Sequence, residues 1–276
     1  MNYLKLGTTQ FDFTRTYIMG IVNVTPDSFS DGGQCLDIDA ALRHTEQLIV
    51  NGADIIDVGA ESTRPGSHAI STQDQIKRLS PFLSAYSRNF DTPLSIDTQT
   101  ADVAEWGLSE GGHMINDISA MRDPKMASVI AAANCPVVLM HMQNTPLSMQ
   151  KQPIYQDIIQ DILTFLQARI DYAHTHDIHQ IIVDPGIGFG KTLEHNLSIL
   201  GQLQQFQSLN CPVLIGTSKK SWIEAITGAD VHHRLEETLA SNVISVLQGA
   251  QFLRVHDVQS MKKAIQVTDA IKAYIS

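Results

Sequence analysis

The stretch Tyr17-Ile-Met-Gly-Ile-Val-Asn23 carries the pattern that decides the fold of this chain, a short apolar run that stops at a polar residue. The pattern recurs in seven more runs, which are Ala53–Val58, Pro93–Ile96, His113–Ile115, Pro136–Met140, Ile181–Val183, Pro212–Ile215 and Gln251–Leu253. Strands rich in Val and Ile that alternate with helices are typical of parallel strands covered by helices. Eight such strands favour an α/β fold of the closed (β/α)8 TIM-barrel type over a doubly wound sheet.

Helical patterns lie between these runs. Ala40–Val50 follows Asp39 and ends at Asn51-Gly52, a pair typical of helix C-caps. Ser71-Thr-Gln-Asp74 resembles a capping box with Asp in place of Glu or Gln. Further helical stripes are predicted over Gln156–His176, Leu235–Leu247 and Met261–Tyr274. No linker, low-complexity tract or charge block divides the chain, so we expect residues 1–276 to form a single domain.

The composition narrows the class of protein. The chain has 276 residues, of which 43% are hydrophobic, and this suits one barrel domain with a large core. Its net charge of −10 argues against a general nucleic-acid binder, whose affinity rests on clustered cations. No apolar run approaches the roughly 20 residues of a membrane span. We therefore expect a cytoplasmic protein with neither nucleic acid nor membrane as a partner.

Polar residues follow the predicted strands, where a (β/α)8 barrel builds its site. Asp97, Asn116 and Asp184 each follow an apolar run, and Lys220 follows another through Gly216. Two carboxylates, an amide and an ammonium could bind a flat heterocycle such as an aminopyrimidinone, because a carboxylate accepts from a ring N–H and an exocyclic NH2 together. The alternative is that the aspartates cap helices. Because nearly all eight strands end in polar residues, we favour a binding site.

A second group of residues is suited to a diphosphate. Arg64 lies in a polar loop, and Arg254 and His256 end the last strand. Arginine forks bind phosphate oxygens bidentately, and strands 7 and 8 of such barrels often hold phosphate. Asn23 offers a neutral oxygen suited to Mg²⁺ shared with a diphosphate. The loops Thr25–Gly33 and Gly59–Gly66 are long enough to act as lids.

Seven motifs occur in order along this pattern of strands. They are Met19-Gly-Ile-Val-Asn-Val-Thr-Pro-Asp-Ser-Phe-Ser-Asp-Gly-Gly33, Asp57-Val-Gly-Ala-Glu-Ser-Thr-Arg-Pro-Gly66, Ser95-Ile-Asp-Thr98, Asn116-Asp-Ile-Ser119, Met140-His-Met142, Asp184-Pro-Gly-Ile-Gly-Phe-Gly-Lys191 and Arg254-Val-His-Asp257. With them the chain resembles the dihydropteroate synthase family over almost its whole length. The resemblance implies a homodimeric barrel of folate synthesis that joins 4-aminobenzoate to 7,8-dihydropterin-6-ylmethyl diphosphate. It further implies Mg²⁺ as cofactor and a dissociative mechanism, in which diphosphate leaves before the aniline nitrogen attacks.

The resemblance also assigns roles to individual residues. It implies pterin contacts by Asp97, Asn116, Asp184 and Lys220. It implies diphosphate contacts by Asn23, Arg64, Arg254 and His256, with Asn23 also on the metal. It implies aminobenzoate contacts by Phe29, Thr63, Arg64, Pro65, Phe189, Ser218 and Lys219. The residues expected to carry catalysis are Asp97, Asp184, Lys220, Arg254 and His256.

Two departures from the family pattern bear on the site. Asn144 stands where Gly is usual, and we expect the turn to survive because Asn tolerates a positive φ. Lys219 stands where Arg is usual, which keeps the charge but loses the planar fork. If the extended backbone continues past Gly216, strand alternation places Ser218 and Lys220 on one face and Lys219 on the other.

Two alternative functions remain open at this point. A pterin-dependent methyltransferase barrel would share the ring pocket but would not need the diphosphate residues. The other alternative is a catalytically silent pterin-binding homologue, and the retention of both lid motifs argues against it.

Overall fold

The computed structural model describes residues 3–25, 38–64 and 66–275, and shows a parallel barrel surrounded by helices. Two of the predicted aminobenzoate contacts, Phe29 and Pro65, lie outside the described residues. Within the described residues, every helix is too short or too polar to cross a bilayer.

The strands confirm all eight predicted runs. They are β3 (Tyr17–Asn23), β4 (Ile55–Gly59), β5 (Leu94–Asp97), β6 (Met114–Asp117), β7 (Val137–Met140), β8 (Ile181–Asp184), β9 (Leu214–Ile215) and β10 (Phe252–Val255), after a hairpin of β1 (Leu4–Leu6) and β2 (Thr9–Phe11). The barrel strands pair in parallel in the order β8-β7-β6-β5-β4-β3-β10-β9. A parallel bridge between Val183 and Val213 joins the two edge strands, so the sheet closes into the expected (β/α)8 barrel.

The helices cover the outside of the barrel. They are α1 (Ile38–Val50), α2 (Thr72–Asn89), α3 (Ala101–Ser109), α4 (Met126–Ala133), α5 (Ile158–His174), α6 (Leu193–Gly201), α7 (Ser221–Thr227), α8 (Leu235–Leu247) and α9 (Val258–Lys272). Ser71 caps α2 by accepting from the Asp74 N–H at 3.1 Å, as predicted. Gly52 adopts a φ of +100° after α1, which confirms the predicted stop signal.

The barrel interior is apolar at its lower end. Inward-facing residues of the strands pack together there, namely Tyr17, Met19, Ile55, Met114, Val138, Ile182, Leu214 and Phe252. The N-terminal hairpin, which the sequence analysis did not predict, adds Leu4, Leu6 and Phe11 to this cluster. The hairpin therefore seals the end of the barrel opposite the strand C-termini, and only the other end is left for a site.

Candidate functional site

A layer of polar side chains lies directly above this apolar cluster. It consists of Asp57, Asp97, Asn116, Asp184 and Arg254, here called the charged layer. Four of the five stand two positions after an apolar residue of the cluster at the lower end of the barrel. For example, Arg254 follows Phe252 in this way, and Asp184 follows Ile182. Side chains alternate along a strand, so position i+2 returns to the interior one level higher. The pattern of the strands therefore places these polar groups together.

Arg254 links two carboxylates of the charged layer. Its Nε donates to Asp57 Oδ2 and its Nη2 donates to Asp97 Oδ2, both at 2.6 Å. Asn116 Nδ2 also donates to Asp57 Oδ2, at 3.1 Å. Such short charge-assisted bonds fix the geometry of both partners. Arg254 was predicted as a diphosphate contact, and its other guanidinium nitrogen, Nη1, has no hydrogen bond to a described residue and could still serve one.

Asp57 belongs to the site but was missed as a site residue. Its side chain is 0% exposed, and its Oδ1 has no hydrogen-bond partner among the described residues. The sequence did carry a signal, because an aspartate inside the apolar run Ala53–Val58 must be paired if it is buried. What the sequence could not show is that its partner is Arg254, 197 positions further along the chain.

The two predicted pterin carboxylates titrate well above the usual range of aspartates. Burial raises the pKa of Asp97 to about 7, with the charge of Asp57 adding to the effect and Arg254 opposing it. Burial raises the pKa of Asp184 to about 6, although the Gly186 N–H donates to its Oδ1 at 2.6 Å. Each of the two has a second oxygen that makes no hydrogen bond to a described residue. A buried carboxylate with a free oxygen is suited to accept from a ligand N–H.

Lys220 reaches the charged layer from above. Its Nζ lies 4.0 Å from the ring centroid of Phe189, within the range of a cation–π contact. Burial lowers its pKa to about 8, and the nearby charge of Arg254 lowers it further, whereas the charges of Asp184 and Asp97 raise it. Gly188 permits this approach, because a Cβ at that position would lie 3.2 Å from Lys220 Cδ.

The turn that carries Lys219 corrects one prediction. The extended backbone does not continue past Gly216: β9 ends at Ile215, and Lys219 has a φ of +58°. Although β10 continues to Val255, the chain leaves the ladder after Ile215 and turns, and the Lys220 N–H donates to Thr217 O at 3.3 Å. Lys219 is exposed while Lys220 points inward, so the two side chains diverge because of this turn and not because of strand alternation.

Cations surround His256, next to the charged layer. Burial lowers the pKa of His256 to about 3, and the charges of Lys219, Arg254, Lys220 and Arg64 lower it further. Ser218 Oγ lies 2.9 Å from its Nδ1. We call Arg64, Lys219 and Lys220 the cationic rim. These three residues create a positive electrostatic potential around His256, which is itself neutral. Such a potential attracts an anion.

The loop after β4 carries Arg64 and the half-buried Thr63 over the site. Arg64 itself is exposed to solvent. The Gly66 N–H donates to Pro146 O at 3.0 Å, which ties this loop to the one after β7. Asn144, in the same loop after β7, has a φ of +63°, as the sequence analysis expected for a residue in place of glycine.

Asn23 ends β3, beside Gly59 of β4. Its side chain is half-buried, and its carboxamide makes no hydrogen bond to another described residue. No group of three His, Cys, Asp or Glu side chains that could hold a metal occurs in residues 3–25, 38–64 and 66–275. A cation beside Asn23 would take most of its oxygens from a substrate and from water. That arrangement fits Mg²⁺, which commonly keeps waters and binds through substrate phosphates.

Lys191 is a second buried residue that sequence reasoning missed. Its Nζ donates to Phe189 O at 2.9 Å and lies 3.0 Å from His141 Nδ1. Burial lowers its pKa to about 7. Lys191 therefore anchors the loop that carries Phe189 against the end of β7. The position of Lys191 at the end of the glycine-rich motif was visible in the sequence, but the direction of its side chain was not.

Replacing Asp184 with asparagine should separate ligand binding from stability. Asn keeps an oxygen for the Gly186 N–H but carries no charge. The folded pKa of Asp184 is about 6, above the ordinary aspartate value of 3.8, so ionisation costs the fold stability as the pH rises from about 4 to about 6. At pH 8 the variant should melt at or above the parent temperature, and this advantage should shrink towards pH 5. Pterin affinity should fall at least about tenfold.

Thermal melts at both pH values and pterin titrations check this prediction. A large loss of thermal stability with unchanged pterin affinity would show that Asp184 serves only the fold.

Comparison with known protein families identifies one match over most of the chain. The profile of the pterin binding enzyme family matches residues 19–256. The dihydropteroate synthase of Clostridium beijerinckii is 44% identical over 273 residues, which cover 97% of this chain and 99% of that protein.

Solved structures agree with this match. The dihydropteroate synthase of Yersinia pestis in a sulfonamide drug complex superposes with a TM-score of 0.93 at 38% identity, covering 98% of this chain and 99% of that one. The Xanthomonas albilineans dihydropteroate synthase with 4-aminobenzoic acid has a TM-score of 0.92 at 36% identity, covering 99% and 98%. The same enzyme in complex with 7,8-dihydropteroate has a TM-score of 0.89 at 35% identity, covering 98% and 99%.

Proposed function

This chain belongs to the pterin binding enzyme family, and we propose that residues 1–276 form one pterin-binding barrel domain that works as a dihydropteroate synthase. It is a transferase that condenses 7,8-dihydropterin-6-ylmethyl diphosphate with 4-aminobenzoate, giving 7,8-dihydropteroate and diphosphate in folate biosynthesis. The observation that carries the proposal is the charged layer beneath the cationic rim, because it offers acceptors for a ring next to cations for a diphosphate. We expect the reaction to take place in the cytoplasm. The function is tested by measuring diphosphate release, which should occur only when both substrates are present.

The charged layer is suited to hold the pterin. The free oxygens of Asp97 and Asp184 accept from the N–H groups of the aminopyrimidinone edge. Asn116 donates one amide hydrogen to Asp57 and keeps its oxygen and second hydrogen for the ring. Lys220 donates to the ring carbonyl from above, while its ammonium keeps its contact with the face of the Phe189 ring. This orientation places the pterin methylene towards the cationic rim.

The diphosphate then lies among Asn23, Arg64, Arg254 and His256. Arg254 offers the Nη1 that its carboxylate partners leave free. A neutral His256 donates one N–H without adding a charge, and Lys219 and Arg64 supply charge nearby. Bound Mg²⁺ would neutralise the charge that develops on the departing diphosphate, with Asn23 as its protein ligand.

The bond between the pterin methylene carbon and the diphosphate oxygen breaks first, and its electron pair leaves with the diphosphate. The resulting cation is spread over the pterin, where the carboxylates of Asp97 and Asp184 stabilise it. The aniline nitrogen of 4-aminobenzoate then donates its lone pair to the methylene carbon, forms the C–N bond, and loses a proton to solvent. No side chain has to form a covalent intermediate.

The aminobenzoate lies at the mouth of the barrel, above the pterin methylene. Phe189 and Ser218 border this space, and Thr63 and Arg64 approach it from the loop after β4. Lys219 places its aliphatic stem there and keeps its charge in solvent, where it can meet the carboxylate. Phe29 and Pro65 are proposed to complete the contacts from their loops.

Removing divalent cations should stop turnover. The protein has few cations of its own to stabilise a departing diphosphate, and no acidic cluster among the described residues could retain a metal. We expect a chelator to lower the rate by at least about a hundredfold, and added Mg²⁺ to restore it. Diphosphate release is the measurement, with metal content checked by elemental analysis. Full activity in metal-free protein would rule out the metal requirement.

The protein is proposed to be a homodimer. Val267 and Ile271, one helical turn apart on α9, are 61% and 55% exposed, and the adjacent α8 exposes Ile244 and Leu247. Exposed apolar stripes of this kind mark interaction surfaces, and we assign this one to a second copy of the chain. Val267→Glu with Ile271→Glu should shift the species seen by sedimentation velocity from dimer to monomer. Val50→Glu is the matched control, because Val50 is 80% exposed at the end of α1. A parent protein that sediments as a monomer would contradict the assignment.

A further inference from the structure

We propose that Arg234 is a positioning residue for the reaction, because it holds the turn that carries Lys220 in place. The proposal rests on the proposed function, in which Lys220 binds the pterin. Arg234 directly precedes α8 and does not reach the charged layer itself. Its side chain is nevertheless only 4% exposed. A buried guanidinium away from the ligands needs partners, and those partners define its role.

The partners of Arg234 lie on both sides of α7. Its Nη1 donates to Lys219 O and Lys220 O, each at 3.2 Å, immediately before this helix. Its Nε donates to Ala229 O at 2.9 Å, immediately after the helix. Its Nη2 pairs with the carboxylate of Glu224, within the helix. One guanidinium therefore joins both ends and the exposed side of α7 to the start of α8.

The local backbone depends on such a clamp. β9 contributes only two residues to the sheet, so strand pairing stops before the turn begins. Lys219 at +58° and Gly228 at +74° both adopt a positive φ, and α7 between them has seven residues. A helix this short is not stable by itself in water. Trp222 and Ile223 bury its inner face, and Arg234 holds its polar groups.

Other contacts hold the residues just before Lys219. Ser241 Oγ donates to Thr217 Oγ1 at 2.9 Å, and Ser218 Oγ lies 2.9 Å from His256 Nδ1. Neither contact involves Arg234. Loss of Arg234 should therefore release Lys219, Lys220 and α7 while Ser218 and His256 keep their places. The effect on catalysis should pass through Lys220 rather than through the diphosphate residues.

A planar fork is needed for this role. Arg234 uses three of its nitrogens in three directions, whereas a lysine offers one ammonium. Arg234→Lys keeps the charge near Glu224 but cannot reach all the carbonyls, and Arg234→Met loses them all. The matched control is Arg15→Met, because Arg15 also pairs with a carboxylate and a backbone carbonyl, but near the start of β3 at the sealed end of the barrel.

The test combines kinetics with a spectroscopic probe of α7. The value of kcat/KM with both substrates is measured for the parent and for four single variants, Arg234→Met, Arg234→Lys, Arg15→Met and Lys220→Ala. It is also measured for the double variant that combines Lys220→Ala with Arg234→Met. Acrylamide quenching of Trp222 is measured in a Trp106→Phe background, since the chain has 2 tryptophans.

We expect kcat/KM to fall at least about tenfold in Arg234→Met and in Arg234→Lys, while Arg15→Met keeps parent kinetics. Quenching of Trp222 should rise only in the Arg234 variants. The double variant should lose little more than Lys220→Ala alone, because both changes remove the same contact.

Parent-like kcat/KM in Arg234→Lys would overturn the proposal, and this variant decides the matter if Arg234→Met does not fold. Losses that multiply in the double variant would also overturn it, because Arg234 would then act independently of Lys220. Absence of turnover in the parent would instead refute the proposed function.

Discussion

Replacing Arg254 with methionine is expected to lower the free energy of unfolding by about 3–5 kcal/mol at pH 8 and to abolish turnover. Arg254 is the shared cation of Asp57 and Asp97, and both carboxylates are buried. Without it, two negative charges face each other in the barrel interior, and among the described residues only the Asn116 amide is left as a side-chain donor to Asp57. The diphosphate loses a ligand in the same variant.

The loss of stability should depend on pH in a defined direction. The pKa of Asp97 is already raised to about 7 with Arg254 present, and removal of the cation raises it further. The folded variant then holds a proton that the folded parent has released above about pH 7, so the deficit grows above that pH and shrinks below it. Urea unfolding at pH 6 and pH 8 measures this difference.

A second change provides the control. Asp57→Asn combined with Arg254→Met removes one acid along with the cation, and should recover part of the stability without any activity. An Arg254→Met variant that is as stable as the parent at pH 8 would show that the charged layer is not held together by this ion pair.

Lys220→Ala is expected to lower kcat/KM far more than Lys219→Ala, by at least about 1.4 kcal/mol or tenfold. Lys220 places its ammonium over Phe189 and close to Asp97 and Asp184, whereas Lys219 is exposed. Lys219→Arg should be nearly neutral, because it keeps the aliphatic stem and the charge. Steady-state kinetics of the three variants measure the difference.

Both alanine variants remove a lysine from the same turn, so each is the control for the other. Ala replaces a non-glycine residue at the positive φ of position 219 and adds no steric conflict of its own. If Lys219→Ala proved the more damaging change, the pterin lysine would have been assigned to the wrong residue.

Local sequence is enough to predict the barrel and those residues of the charged layer that lie at the ends of strands. Asp97 and Asp184 are the last residues of their strands and Asn116 is the last but one of its strand, so alternation along each strand is enough to aim them inward. The same rule failed at Lys219, because β9 is too short to impose it. Turn geometry, rather than strand geometry, sets the direction of side chains there.

Residues whose role depends on distant partners could not be assigned in this way. Asp57 is paired through Arg254 on another strand, and Lys191 bonds to a carbonyl and a histidine of two different loops. Arg234 lies in a polar stretch before α8. Nothing in the sequence there distinguishes a buried arginine from one exposed to solvent. The N-terminal hairpin was missed for a related reason, since its three-residue strands are too short to show alternation.

The most direct test of the account is the stoichiometry of the reaction. Purified protein, 7,8-dihydropterin-6-ylmethyl diphosphate, 4-aminobenzoate and Mg²⁺ are mixed, and diphosphate and 7,8-dihydropteroate are measured together, with Lys220→Ala in parallel. We predict that the parent forms the two products in equal amounts, that sustained turnover requires both substrates, and that Lys220→Ala loses most of the rate. A parent protein that binds the pterin diphosphate but releases no diphosphate in the presence of 4-aminobenzoate would contradict the account.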